Sequence, residues 1–393
     1  MAGIRAAVAF LSSIALSACA SADNATPYGV GAGASGGKAG AGGGSTSSGG
    51  SAGTAGTPST DAGDAGARDG GSKTLIDDPL GDLPQDLADV GIYTAMPSLT
   101  MTDPRAFYYE PKHPLWSNGL DKSRFMILPK GAKIDTSVRD TWNFPVGTLF
   151  VKTFSYRDPG GKVIPIETRL IRRVLDAGEV FDQWTFDVYE WDAGATGAKL
   201  IDIKLRTMRQ AIVDGKTILH NIPKLADCWN CHIANKTPII GFDELRLNSM
   251  LQGQTQLQLD KVIGSGWLSA APAKPWVAIT DPNPLQEQVF QYIQGNCAHC
   301  HNGEDRLEPG ARYPALDLRW DKILKNTVNV MTMTVGTASG YRIVPGDPMK
   351  SILFLGVSRT GSAEVKPMPL VGVDVVDAKA VEMLRQWMTA LKP

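Results

Sequence analysis

The chain has 393 residues, 43% of them hydrophobic and 20% charged, which is enough apolar material for more than one core. Lys and Arg total 39 against 40 Asp and Glu. With no excess of positive charge to neutralise phosphates, the composition argues against a nucleic-acid partner.

At the N-terminus, Arg5 precedes an apolar run from Ala6 to Ala18 that is too short to span a bilayer as a mature helix and suits a secretion signal. Its end, Leu16-Ser17-Ala18-Cys19, resembles the lipobox of bacterial lipoproteins. That resemblance implies a signal peptide over 1–18, an acylated Cys19 as the mature N-terminus, and attachment to a membrane through lipid without a spanning helix. The competing reading is an ordinary signal peptide cut near Ala20. Ala20 in place of an aspartate leans, by resemblance to bacterial sorting rules, toward an exported outer-membrane lipoprotein facing the periplasm or the cell surface. The stretch 19–74, acylated cysteine included, is nearly all Gly, Ala, Ser and Thr and reads as a disordered tether. About fifty such residues have an end-to-end distance of roughly 40 Å.

Residues 75–225 carry short β-branched and aromatic runs between Gly, Pro and Asp clusters, the pattern of a small antiparallel β domain. Phe144 to Phe154 and Ile164 to Ile171, separated by Asp158-Pro159-Gly160-Gly161, predict a hairpin. Phe181 to Trp191 and Lys199 to Arg206 extend the strand pattern, and sandwich and barrel remain open alternatives. After Leu225 helical patterns predominate, so the fold class is α+β, a β domain followed by a mainly α region. Pro284 to Asn296 predicts a helix leading into Cys297. A second predicted helix starts at Asp377 as N-cap and puts Val381, Leu384, Trp387, Met388 and Leu391 on one apolar face.

The chain has five cysteines. One is Cys19, and the others form Cys228-Trp229-Asn230-Cys231-His232 and Cys297-Ala298-His299-Cys300-His301. Cys-x-x-Cys-His suits two covalently bound haem c groups, because paired thiols can add to the two vinyls of a porphyrin while the adjacent histidine turns its imidazole toward the iron. A zinc site would bring its ligand pairs closer in sequence than Cys231 and Cys297 are. A thioredoxin-like pair or structural disulfides would leave the repeated histidine unexplained. Residues 226–280 form the first haem c segment and 281–393 the second.

His232 and His301 are then the proximal iron ligands. Met368, in Lys366-Pro367-Met368-Pro369-Leu370, is the distal candidate at the second haem, ahead of Met331, Met333 and Met349, because prolines hold its flanking backbone extended. At the first haem Met250, His220, His113 and Met208 compete. His220 is placed slightly ahead, and His299 is expected to be a solvent-exposed edge residue.

Together with the haem motifs, Phe144-Pro145-Val146-Gly147-Thr148, Glu167-Thr168-Arg169-Leu170 and His113-Pro114-Leu115-Trp116-Ser117 resemble a bacterial family of exported dihaem c-type cytochromes, over about Tyr93 to the C-terminus. The resemblance implies a β-rich region ahead of the first motif and a class I-like cytochrome c domain, with a methionine loop, over 281–393. Val344-Pro345-Gly346-Asp347-Pro348 and Ser351 also resemble segments ahead of that loop. The chain departs from the pattern at His220, where an aromatic residue is expected. The expected function is one-electron transfer with a redox partner protein, a dehydrogenase, reductase or another cytochrome. The alternatives are a dihaem peroxidase or oxygenase with an open site at the first haem, and a membrane-anchored redox or gas sensor.

Overall fold

A computed structural model of the chain describes residues 73–139, 141–232, 237–303, 316–332 and 339–392. The expected signal peptide, Cys19 and nearly all of the expected tether lie outside them.

Asp158-Pro159-Gly160-Gly161 closes the predicted hairpin. Gly161 N donates to Asp158 O at 2.9 Å, and Asp158 N to Lys162 O at 3.0 Å. Gly161 takes a φ of 83°, a left-handed conformation that glycine adopts at no steric cost. The turn joins β3 (Leu149–Arg157) to β4 (Val163–Arg173). With β1 (Phe107–Tyr108), β2 (Asp121–Ile127), β5 (Trp184–Trp191) and β6 (Ala198–Leu200) they form a six-stranded antiparallel sheet in sequence order. The expected strand from Phe181 starts only at Trp184, since Val180–Gln183 is a helical turn, and the one from Lys199 ends at Leu200. A separate hairpin follows, β7 (Thr207–Val213) and β8 (Lys216–Ile222), closed by Asp214 and Gly215, both at positive φ.

The sheet is neither sandwich nor barrel but an open layer covered on both faces. One face packs Phe125, Val151, Leu170 and Tyr189 against Leu75, Leu87, Val90 and Tyr93 from the preceding segment. The other packs Met126, Phe150 and Trp184 against Phe242, Leu247, Leu259 and Val262 from the region after the first cysteine motif. Burial on both faces explains why β3 reads as a nearly continuous apolar run.

The helices are α1 (Leu87–Val90), α2 (Val180–Gln183), α3 (Leu225–His232), α4 (Glu244–Leu247), α5 (Gln258–Gly264), α6 (Pro284–Asn296), α7 (Ile323–Thr327), α8 (Ile352–Ser358) and α9 (Ala378–Ala390). Asn283 caps α6 by accepting from Leu285 N at 3.0 Å, with Pro284 at the first helical position. Asp377 caps α9 by accepting from Ala380 N at 3.1 Å. The apolar stripe of α9 turns inward as predicted: Leu384, Trp387 and Met388 are buried, Val381 and Leu391 partly so. Trp387 meets Phe290 of α6 edge-on, with ring centroids 6.2 Å apart, and its Nε1 donates to Gln286 Oε1 at 3.2 Å. Asp377→Ala should cost about 1 kcal/mol by exposing the first turn of α9. Urea denaturation reads this as a lower midpoint at unchanged slope, and an unmoved midpoint would show that packing alone holds the helix end.

Candidate functional site

Helix α3 carries the first motif. Its first turn holds Asp227, which accepts from Arg206 Nε and Nη2 at 2.5 and 2.6 Å and from Lys224 N at 3.2 Å. Next to it, Cys228 is buried, and burial pushes its thiol up to about 11. His232 closes the helix with its ring edge-on to Phe186, centroids 5.0 Å apart. Its Nδ1 bonds the carbonyl oxygen of Pro238. A carbonyl can only accept, so Nδ1 carries the hydrogen and Nε2 keeps the lone pair, the tautomer a metal-ligating imidazole needs. Burial draws the imidazole down to about 4, so the ring is neutral at pH 7.

The second motif begins where α6 ends. Cys297 N donates to Ile293 O at 2.8 Å, and His301 N to Cys297 O at 2.9 Å. The His301 carbonyl accepts from Leu318 N at 2.8 Å, which ties the motif to the following segment. Burial pushes Cys297 up to about 12 and His301 down to about 4, the latter helped by the neighbouring charges of His299 and Arg342. Cys228, Cys231, Cys297 and Cys300 are all free thiols.

The two motifs meet. Ligand atoms of Cys231, His299 and Cys300 lie within 4.8 Å of one another, and Cys300 Sγ sits 3.6 Å from the Asn230 carbonyl. The hydrogen bond between the Cys231 and Cys300 thiols pulls Cys231 down and pushes Cys300 up. His299 is only 5% exposed, contrary to the expected solvent-exposed edge position, and it lies beside Cys231 of α3. The sequence argument against zinc, the long stretch between motifs, therefore loses its force, since the fold closes that distance. The cluster nevertheless draws only one thiol from each motif and leaves Cys228, Cys297, His232 and His301 outside it.

A cleft of about 130 Å³ opens beside the first motif. Cys228, Cys231 and His232 line it on one side and Phe150, Leu170, Phe186 and Ile239 on others. Across its sheet wall, Arg124, Lys152 and Arg169 stand in one row of the register. Like charges directly opposite one another repel. Arg169 is paired with Glu167, Nη2 to Oε1 at 2.5 Å, but among the described residues no carboxylate pairs with Arg124 or Lys152. Burial, then the charges of Arg124, Arg169 and Lys122, holds Lys152 well below the ordinary lysine value. Paired thiols, a neutral imidazole and the Arg124 guanidinium on one cleft wall are the donor set that haem c requires, namely two thioethers, an axial nitrogen and a counter-charge for a propionate. Sequence reasoning missed these cations. The available signal was Lys152, in phase with Phe150 and Phe154 on a strand otherwise apolar on that face.

His220, the sequence's leading distal candidate at the first haem, is engaged elsewhere. It is 1% exposed, its Nε2 lies 2.7 Å from Glu167 Oε1, and its ring lies against Phe154, with centroids 5.5 Å apart. The β7–β8 hairpin folds it onto the sheet beside the cleft, whose lining does not include it. His113 does line the cleft. Met208, Met250, Met331 and Met349 are exposed, and Met333 lies outside the described residues. Met368 is half-buried against α8, its N donating to Gly356 O at 3.0 Å.

Gly295, two residues before Cys297, sets how closely the His113 segment approaches α6. A Cβ there would stand 2.5 Å from the His113 carbonyl oxygen. Gly295→Ala should therefore cost about 1–3 kcal/mol through forced separation of the two segments. Thermal denaturation measures it, and an unchanged midpoint would mean that the approach yields freely. Comparison with protein-family models, with curated proteins and with solved structures found no match.

Proposed function

We propose that the chain is a dihaem c-type cytochrome that transfers single electrons, held at the outer membrane through acylated Cys19. Cys228 and Cys231 attach the first haem and Cys297 and Cys300 the second. His232 and His301 ligate the two irons from the proximal side, and Met368 is the distal ligand of the second. Bound, the two groups supply reversible one-electron exchange between ferrous and ferric iron. His232 is held by Pro238 in the tautomer that offers Nε2 to a metal, and Arg124 supplies positive charge for a propionate. The C-terminal part, 281–393, is read as a class I-like cytochrome c domain, with α6 and α9 packed across one another.

The observation that carries this reading is the cleft beside the first motif, where Cys228, Cys231 and a neutral His232 whose Nε2 keeps its lone pair share one wall. The two motifs also meet at Cys231 and Cys300, so groups attached there would be near neighbours, which would suit passing an electron from one to the other and on to a redox partner protein. The test is the low-temperature electron paramagnetic resonance spectrum of the ferric protein, with and without cyanide. Two low-spin signals that ignore cyanide are expected. A high-spin signal converted by cyanide would overturn the carrier assignment in favour of a dihaem peroxidase or oxygenase.

A further inference from the structure

The stretch from Lys112 to Asn118 crosses between the sheet, α4 and α6, and is pinned along its length. Lys112 N donates to Arg246 O at 2.9 Å, just ahead of His113. Beyond it, Lys122 Nζ donates to Leu115 O at 2.6 Å, and Trp116 N to Asn296 Oδ1 at 2.7 Å. Trp116 Nε1 donates to Val375 O at 2.8 Å, and Asn118 Oδ1 accepts from Asp374 N at 2.7 Å. A glycine at 295 is what admits the His113 carbonyl against α6. All this fixes one side chain. His113 is 7% exposed and lines the same cleft as Cys228, Cys231 and His232. Its Nε2 is buried without a hydrogen-bond partner among the described residues, and an unsatisfied buried polar atom costs about 1–3 kcal/mol. Such a cost is sensible where a ligand satisfies the atom, and imidazole nitrogens commonly bind haem iron.

We propose that His113 is the sixth ligand, through Nε2, of the iron whose fifth ligand is His232. This rests on the dihaem reading and deepens it: the first iron carries two histidines, whereas Met368 serves the second. Two imidazoles lack the thioether's preference for ferrous iron, so the first haem has the lower potential, and electrons run downhill from it to the second. The clamped backbone holds the imidazole ready, which leaves the first iron no vacant face for peroxide or oxygen.

The test uses the full-length haem-loaded protein and its His113→Gly variant. Covalent haem is counted by staining and mass, and coordination is read from ferric paramagnetic resonance and absorption spectra. The variant should keep both haems, lose one of the two low-spin signals to a high-spin one, and recover it when imidazole is added. His220→Gln should leave both low-spin signals in place. If the glycine variant folds poorly, His113→Met serves instead: it should keep that iron low-spin, add a second sulfur-to-iron charge-transfer band and raise the potential of that haem. A His113→Gly spectrum identical to that of the unsubstituted protein, with both haems retained, would overturn the assignment alone, as would a high-spin signal in His220→Gln. Absence of covalent haem from the unsubstituted protein would instead remove the dihaem reading on which the assignment rests.

Discussion

Alanine at both Cys228 and Cys231 should leave one covalently attached haem per chain instead of two, and alanine at both Cys297 and Cys300 should do the same at the other motif. Each motif supplies its own pair of thiols, and no further cysteine remains outside the proposed lipidation site to substitute for them. Single replacements separate this outcome from a metal centre built on the cluster where the motifs meet. A zinc-type site at Cys231, His299 and Cys300 would be indifferent to Cys228 and Cys297, which lie outside it. Haem attachment needs all four thiols, so Cys228→Ala and Cys297→Ala should each lose a thioether, read as a shift of the ferrous absorption band. Mass spectrometry of the intact chain gives the haem count. A haem-free chain that carries one equivalent of zinc, lost only in Cys231→Ala and Cys300→Ala, would remove the cytochrome reading altogether.

Replacing Glu167 with alanine should cost about 3–5 kcal/mol, because it strips the counter-charge from Arg169 and the acceptor from His220 in a buried place. Glu167 is fully buried on β4, and both partners bond it, Arg169 at 2.5 Å and His220 at 2.7 Å. Burial by itself would raise this carboxyl. The Arg169 charge and the His220 hydrogen bond outweigh burial and hold it at about 2. A carboxyl whose folded pKa lies below its unfolded one contributes stability that is fully present above the unfolded value, near 4.5, and is lost as pH falls through the folded value. The difference amounts to about 3 kcal/mol between pH 4.5 and pH 2. Unfolding midpoints measured across that window should fall steeply for the unsubstituted protein and much less for Glu167→Gln. Parallel curves for the two proteins would show that the carboxyl is not what acid titrates.

Local pattern was enough where the determinant was local. Pro284 and Asp377 named the starts of α6 and α9 because a first-turn proline and a cap both act within one turn, and the stripe through Leu384, Trp387 and Met388 named the buried face because helical spacing alone aligns it. Asp158 to Gly161 named the central hairpin for the same reason. The strand ends were less legible. Lys199 to Arg206 has strand composition but leaves the sheet after Leu200, since nothing in composition says where a pairing partner stops. The choice between sandwich and barrel failed similarly: the sheet's second face is covered by residues after the first motif, and covering is a long-range fact.

The site divides along the same line. The sequence by itself determined which residues have the chemistry, since Cys-x-x-Cys-His is a contiguous pattern whose donors need no tertiary information to be recognised. Only the tertiary structure decided their company. It joined Cys231 to Cys300, buried His299, lined up Arg124, Lys152 and Arg169 across three strands, tied His220 to Glu167 and put His113 into the first cleft. Each of these pairings joins residues far apart in the chain, and their proximity is set by strand register and by the packing of α6 against the His113 segment. No local spacing rule encodes such a distance, because it is fixed by the burial of many side chains at once.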